Sequence, residues 1–139
     1  MNGRGDKFGR VSGDWAGGRG DTGGMAPADP VQGQVDAYNA RDVEAFLACY
    51  APDTEIFSDP FAAPELRGTA AIRERYARLF EAEPGLHCEI RVRVRAGAWT
   101  VDEELVARST GAIHCLVAYH VADGLIDRVL FLDTPAAQA

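Results

Sequence analysis

Three kinds of side chain in this sequence are suited to moving a proton. Asp59 stands directly before Pro60. A carboxylate at an apolar mouth is a general base, because loss of water raises its pKa toward the working range. An aspartate before a proline is equally a turn and capping residue, and both readings stand. Asp102 and Glu104 lie two apart in an alternating stretch and therefore share a strand face. Tyr50, Tyr76 and Tyr119 supply phenolic hydroxyls that can donate hydrogen bonds. His87, His114 and His120 show no metal-ligand spacing, so surface or structural imidazoles are expected and no metal site is assigned. The sequence holds no Gly-x-Gly-x-x-Gly strand-to-helix turn, Walker loop or Gly-x-Ser-x-Gly elbow. Neither a nucleotide cofactor nor serine hydrolysis is expected.

The elements that must position these groups follow from periodicity. Asp29 caps a helix with Pro30 at its first position, and Val31, Val35 and Tyr38 mark one face. Asp42 caps a second helix to about Tyr50, with Val43, Phe46, Leu47 and Tyr50 inward. A short strand is expected from Glu55 to Ser58, then a third helix capped by Thr69 and running to about Glu81. Pro84-Gly85 ends that helix.

From His87 the period changes to two. If Gly97-Ala98 is a two-residue turn, Arg93 faces Asp102, Arg91 faces Glu104 and Val92 faces Glu103. One reading is a solvated charge ladder that leaves Glu103 as the odd polar residue on a buried face. Two more strands follow, from about Ala112 to Val121 and from about Leu125 to Leu132, joined by a tight turn at Asp123-Gly124.

At 139 residues the chain is expected to form one domain. Residues 1–24 hold nine of the fifteen glycines and no apolar periodicity. They are expected to be a disordered tail, and Met25 reads as a natural start of a domain spanning 25–139. The Arg-Gly-Asp tripeptides at Arg4 and Arg19 are chance products of that composition. A net charge of −7 argues against nucleic acid or an anionic membrane as the main partner. No apolar run is long enough to span a bilayer, and no signal peptide is read at the start. Cys49, Cys88 and Cys115 are an odd number in apolar contexts, which favours reduced core thiols and the cytoplasm.

The stretch from Ala48 to Pro60, with its Tyr50 and its Asp59-Pro60 pair, followed by Gly68-Thr69-Ala70-Ala71-Ile72-Arg73-Glu74-Arg75-Tyr76, resembles SnoaL-like, ketosteroid-isomerase-like domains of the NTF2-like superfamily. The resemblance implies an α+β cone, in which three N-terminal helices pack in a strongly curved antiparallel sheet in the order α-α-β-α-β-β-β-β. It places Asp59 where the isomerase has its proton-shuttling base, offset by one residue. It also turns Asp102, Glu104 and Val106 toward the cavity, and Trp99, Val101 and Glu103 outward for pairing two subunits; periodicity alone leaves this register and the charge-ladder register both open.

On that resemblance Asp59, Tyr50, Tyr76 and Asp102 are the expected catalytic set, and Phe46, Glu104, Val117, Tyr119 and Phe131 the expected ligand contacts. The implied function is binding of a small apolar or carbonyl-bearing molecule, with proton shuttling as in steroid Δ-isomerases or polyketide cyclases, no cofactor, and a homodimer. A non-catalytic ligand-binding or dimerisation module is the alternative. One departure stands out: the isomerase's two oxyanion donors, a tyrosine and a protonated aspartic acid, correspond here to Gln34 and Val117.

Overall fold

The computed structural model describes residues 28–133. The readings of residues 1–24 and of a start at Met25 lie outside the described residues. Two helices come first, α1 (Pro30–Ala40) and α2 (Val43–Leu47). They are followed by β1 (Tyr50–Phe57), β2 (Leu66–Arg67), α3 (Thr69–Ala82), β3 (His87–Ala96), β4 (Trp99–Arg108), β5 (Gly111–Ala122) and β6 (Leu125–Asp133). The strands form one sheet in the order β2-β1-β6-β5-β4-β3, unclosed and curved around the helices. This is the α+β architecture expected from the sequence.

Local chemistry explains the starts and stops. The Asp29 carboxylate accepts from the amides of Val31 and Gln32 at 3.2 and 3.3 Å, and Pro30 presets the first helical backbone angle. Asp42 accepts from the Ala45 amide at 3.1 Å and caps α2. α3 starts differently from the expectation: Gly68 is the cap, at φ 86°, and Thr69 is already helical. A Cβ at Gly68 would lie 3.6 Å from the Pro52 carbonyl oxygen, so the backbone angle rather than space selects glycine.

Three expectations are corrected. α2 ends at Leu47, so Tyr50 opens β1 instead of closing a helix. β1 also runs parallel to β6, with Ile56 opposite Val129, so the sheet is not antiparallel throughout. The third correction is a bulge in β3. Gly97-Ala98 does set Arg93 opposite Asp102 and Val92 opposite Glu103, but the register then shifts, and Ile90 faces Glu104 where Arg91 was expected. The extra residue reverses side-chain parity. Cys88 and Ile90 point inward before the bulge; beyond it Val92 and Val94 turn outward, 52% and 58% exposed, and Arg93 turns in to meet Asp102.

The core lies between the concave sheet face and the helices. Phe46 sits at its centre, with ring centroids 4.7 Å from Tyr76, 4.9 Å from Tyr50 and 5.7 Å from Phe80. Burial of these rings supplies the main folding drive for the helical layer, at about 25 cal/mol per Å² of apolar surface.

Candidate active site

The concave face of the sheet is set by the parity of β4. Thr100, Asp102, Glu104 and Val106 are buried, while Trp99, Val101, Glu103 and Leu105 alternate with them on the outer side. The cavity-facing register is therefore the observed one. Between this face and the helices lies a cavity of about 610 Å³, within the ~300–1,000 Å³ usual for small-molecule sites. Its wall combines Phe46, Val106, Ile113 and Phe131 with the polar groups of Gln34, Tyr38, Tyr50, Tyr76, Glu104, Arg108 and Tyr119. Ser58, Glu65 and Arg75 also line it, and all three are exposed, so they form a rim; Arg75 and Glu65 pair there at 3.2 Å.

Among the described residues Glu104 is the one carboxylate on the inner wall, and it is only 6% exposed. The Tyr119 hydroxyl donates to its Oε2 at 2.7 Å, and the Cys88 thiol also hydrogen-bonds to it. Burial disfavours the charged form and outweighs these bonds, raising the Glu104 carboxyl to about 7. The phenols go the same way. Burial holds Tyr50 and Tyr119 far above their usual range and pushes Tyr76 up to about 12, so all three remain protonated donors at neutral pH. The Tyr50 hydroxyl donates to Gln34 Oε1 at 3.1 Å, while Gln34 Nε2 donates to the Val31 carbonyl at 3.1 Å. Gln34 thus accepts from a tyrosine where the isomerase pattern has a tyrosine of its own. Among the described residues the hydroxyls of Tyr38 and Tyr76 have no hydrogen-bond partner, so both are unengaged donors in the cavity wall.

Six expected site residues meet in this cavity: Phe46, Tyr50, Tyr76, Glu104, Tyr119 and Phe131. Three do not. Asp59 is exposed and outside the wall, where its neighbour Ser58 stands; its carboxylate accepts from the Phe61 amide at 2.9 Å and its carbonyl from the Ala62 amide at 3.1 Å. This is the turn-capping geometry an aspartate before proline favours. Asp102 is fully buried beside the cavity, but both its oxygens accept from Arg93, from Nε at 2.7 Å and from Nη2 at 2.8 Å. Gln32 Oε1 takes a third bond from the same guanidinium at 2.7 Å. A carboxylate held bidentately by a cation is an acceptor, not the neutral donor that polarising a carbonyl requires. Val117 is fully buried in the sheet, opposite Asp102 and Phe131, and does not reach the wall.

Arg108 was missed, although it continues the inward parity of Asp102, Glu104 and Val106 by one more step. The histidines lie apart from the cavity. His114 pairs with Glu103 at 2.7 Å, His120 pairs with Asp127 at 2.6 Å and packs on Trp99 at 4.8 Å, and His87 is exposed. Among the described residues no three His, Cys, Asp or Glu side chains gather as a metal-binding group, and no helix is long and apolar enough to cross a membrane.

Comparison with known proteins agrees with this geometry. The family model of the SnoaL-like domain matches residues 31–129. Among solved structures, a cystatin-fold protein from Novosphingobium aromaticivorans superposes with a TM-score of 0.69 at 20% identity, over 75% of this chain and 95% of that one. A putative ketosteroid isomerase from Kribbella flavida gives 0.61 at 22%, over 76% and 75%. A putative polyketide cyclase from Sinorhizobium meliloti gives 0.63 at 20%, over 73% and 92%. At these identities the structures establish the fold, and no activity passes from them to this chain.

Proposed function

This chain belongs to the SnoaL-like domain family, and from that premise we propose that it is a cofactor-independent enzyme that moves a proton beside the carbonyl of a small apolar ligand, with Glu104 as its acid–base group. The observation that carries this reading is a buried carboxyl raised to about 7 and lining a cavity of about 610 Å³. A base whose pKa sits near the working pH is the most effective kind. In the proposed step the Glu104 carboxylate takes the proton on the carbon next to the carbonyl. The electron pair of that C–H bond moves into an enolate, whose oxygen accepts from the unengaged hydroxyl of Tyr76 or Tyr38. Return of the same proton to a conjugated carbon gives an isomer; attack of the enolate carbon on a second carbonyl gives a ring. Tyr119 and Cys88 orient the carboxyl, and Tyr50 holds Gln34 against the helix.

Asp59 has no part in this scheme, because its carboxylate lies outside the wall and caps a turn. The outer sheet face supports a homodimer. The bulge at Arg91 adds Val92 and Val94 to Val101 and Leu116 there, a patch that water would otherwise wet. Buried thiols at Cys49 and Cys88 suit a reducing compartment, and the cytoplasm is the proposed location.

The test of function is conversion of a β,γ-unsaturated ketone, steroidal or smaller, to its conjugated isomer, followed by ultraviolet absorbance. Turnover that is saturable and falls ~10²-fold or more in Glu104→Gln supports the reading. Saturable binding without turnover on any ketone tried leaves the domain as a ligand-binding module.

A further inference from the structure

Arg108 ends β4 on the cavity wall, four residues beyond Glu104 on the same face. Its Nε is buried and has no hydrogen-bond partner. Its ion-pair partner is Glu83, a long 3.7 Å from Nη2, and that contact leaves Nε unpaired. Glu83 is already engaged: Oε1 accepts from the Ser109 amide at 2.8 Å and Oε2 from the Ser109 hydroxyl at 3.0 Å. Those bonds, that from the amide foremost, hold the Glu83 carboxyl below its usual range, with a smaller contribution from Arg108 itself. Glu83 therefore balances part of the Arg108 charge at Nη2 and leaves Nε without an acceptor. A buried, unmade N–H on a cation costs more than a neutral one, and such a group in a cavity wall calls for an acceptor. Tyr38 reinforces the same end. Its hydroxyl is unengaged among the described residues and lies within electrostatic reach of both Arg108 and Glu104.

We propose that Arg108, with Tyr38, receives a delocalised oxyanion, a carboxylate or an acidic enol, carried at one end of a flat and mostly apolar ligand whose other end lies against Glu104. The planar fork of a guanidinium suits a two-oxygen anion, and the aromatic wall of Tyr38, Phe46 and Tyr76 suits a flat ring system. Four residues of strand separate the two polar ends by roughly 13 Å between Cα atoms, a span that a fused two- or three-ring ligand fills. The inference deepens the proposed function by naming the substrate class of the same cavity, and it rests on that reading only for which end of the ligand reacts.

Binding without turnover tests it. Three flat probes are titrated by calorimetry at pH 8: 2-naphthoate for the carboxylate, 2-hydroxy-1,4-naphthoquinone for the acidic enol, and 2-acetonaphthone as the neutral shape control. The wild-type protein is expected to bind at least one anion ~10-fold or more tighter than the ketone, and the preferred arm tells which oxyanion the site takes. Arg108→Met should erase that preference while leaving ketone affinity within about 3-fold, and Arg108→Lys should keep part of it. Glu104→Gln should retain the preference, so failure of the proton-transfer reading does not imitate failure here. Equal affinity for anions and ketone, no saturable binding of any anion, or a preference that survives in Arg108→Met overturns the proposal. Should Arg108→Met fail to give a cooperative thermal melt, Arg108→Gln is read in its place, and the wild-type preference stands as a test by itself.

Discussion

The Tyr119 hydroxyl donates to Glu104 Oε2 at 2.7 Å inside the cavity wall, joining a protonated phenol on β5 to the cavity-lining carboxyl of β4. Burial raises the carboxyl while this bond lowers it, and the balance leaves Glu104 at about 7. The pair thus sets the proton affinity of the group proposed as the base.

Removing the donor should tip that balance. Tyr119→Phe withdraws a bond that favours the carboxylate, so the Glu104 pKa should rise above about 7. The lower limb of the pH profile of kcat/KM, which reports the free protein's base, should move to higher pH. Activity at pH 7 should fall roughly 10-fold and recover in part at pH 9. An unmoved limb would show that Tyr119 does not set the base.

The same carboxyl should shape stability. Its folded pKa of about 7 lies above its ordinary 4.5, so between those values the native state binds more protons than the unfolded chain. This contribution is complete below pH 4.5 and is lost as pH rises through about 7. The full swing is on the order of 3 kcal/mol, since each tenfold change in proton affinity is worth about 1.36 kcal/mol. Glu104→Gln should therefore gain stability relative to wild type as pH rises from 5 to 8, measured by urea denaturation at each pH. Parallel curves for the two proteins would contradict a buried, raised carboxyl.

Arg93 and Asp102 make a different prediction. Their pair is bidentate, with Asp102 fully buried and the Arg93 side chain 18% exposed. Breaking it with Asp102→Leu strands a cation and should cost about 3–5 kcal/mol, whereas Arg93→Met with Asp102→Leu together should recover most of that loss. Thermal melts of the single and double variants read the difference. If the double variant is as unstable as the single one, an unpaired charge is not the cause.

On the outer face, sedimentation at micromolar concentration should show a dimer of wild type and a monomer of Val94→Glu, since Val94 is 58% exposed and shares its face with Val92 and Leu116. A wild-type monomer would remove the outer face from the proposed interface.

Much of this arrangement is legible in the sequence. Asp29 and Asp42 announce helix starts, and both cap as read. Alternation along β4 puts Asp102 and Glu104 on one face, the resemblance turns that face inward, and Gly97-Ala98 and Asp123-Gly124 set two hairpins. The bulge at Arg91 is not legible, because an inserted residue changes no local pattern until its partner strand is known. It follows that the switch in parity between Ile90 and Val92 was unreadable too, although the turn at Gly97-Ala98 already set Arg93 opposite Asp102. Asp59 misleads for a related reason. The Asp-Pro pair has the same local chemistry whether its carboxylate faces a cavity or caps a turn, and only the loop's path from β1 to β2 decides.

Exchange of ligand protons tests the central claim most directly. A ketone such as 2-acetonaphthone is held with the protein in D₂O, and loss of its α-proton signal is followed by NMR in wild type, Glu104→Gln and Asp59→Asn. Wild type should speed exchange well above buffer, Asp59→Asn should match it within about 2-fold, and Glu104→Gln should lose ~10²-fold or more. Exchange that survives in Glu104→Gln and vanishes in Asp59→Asn would contradict the account.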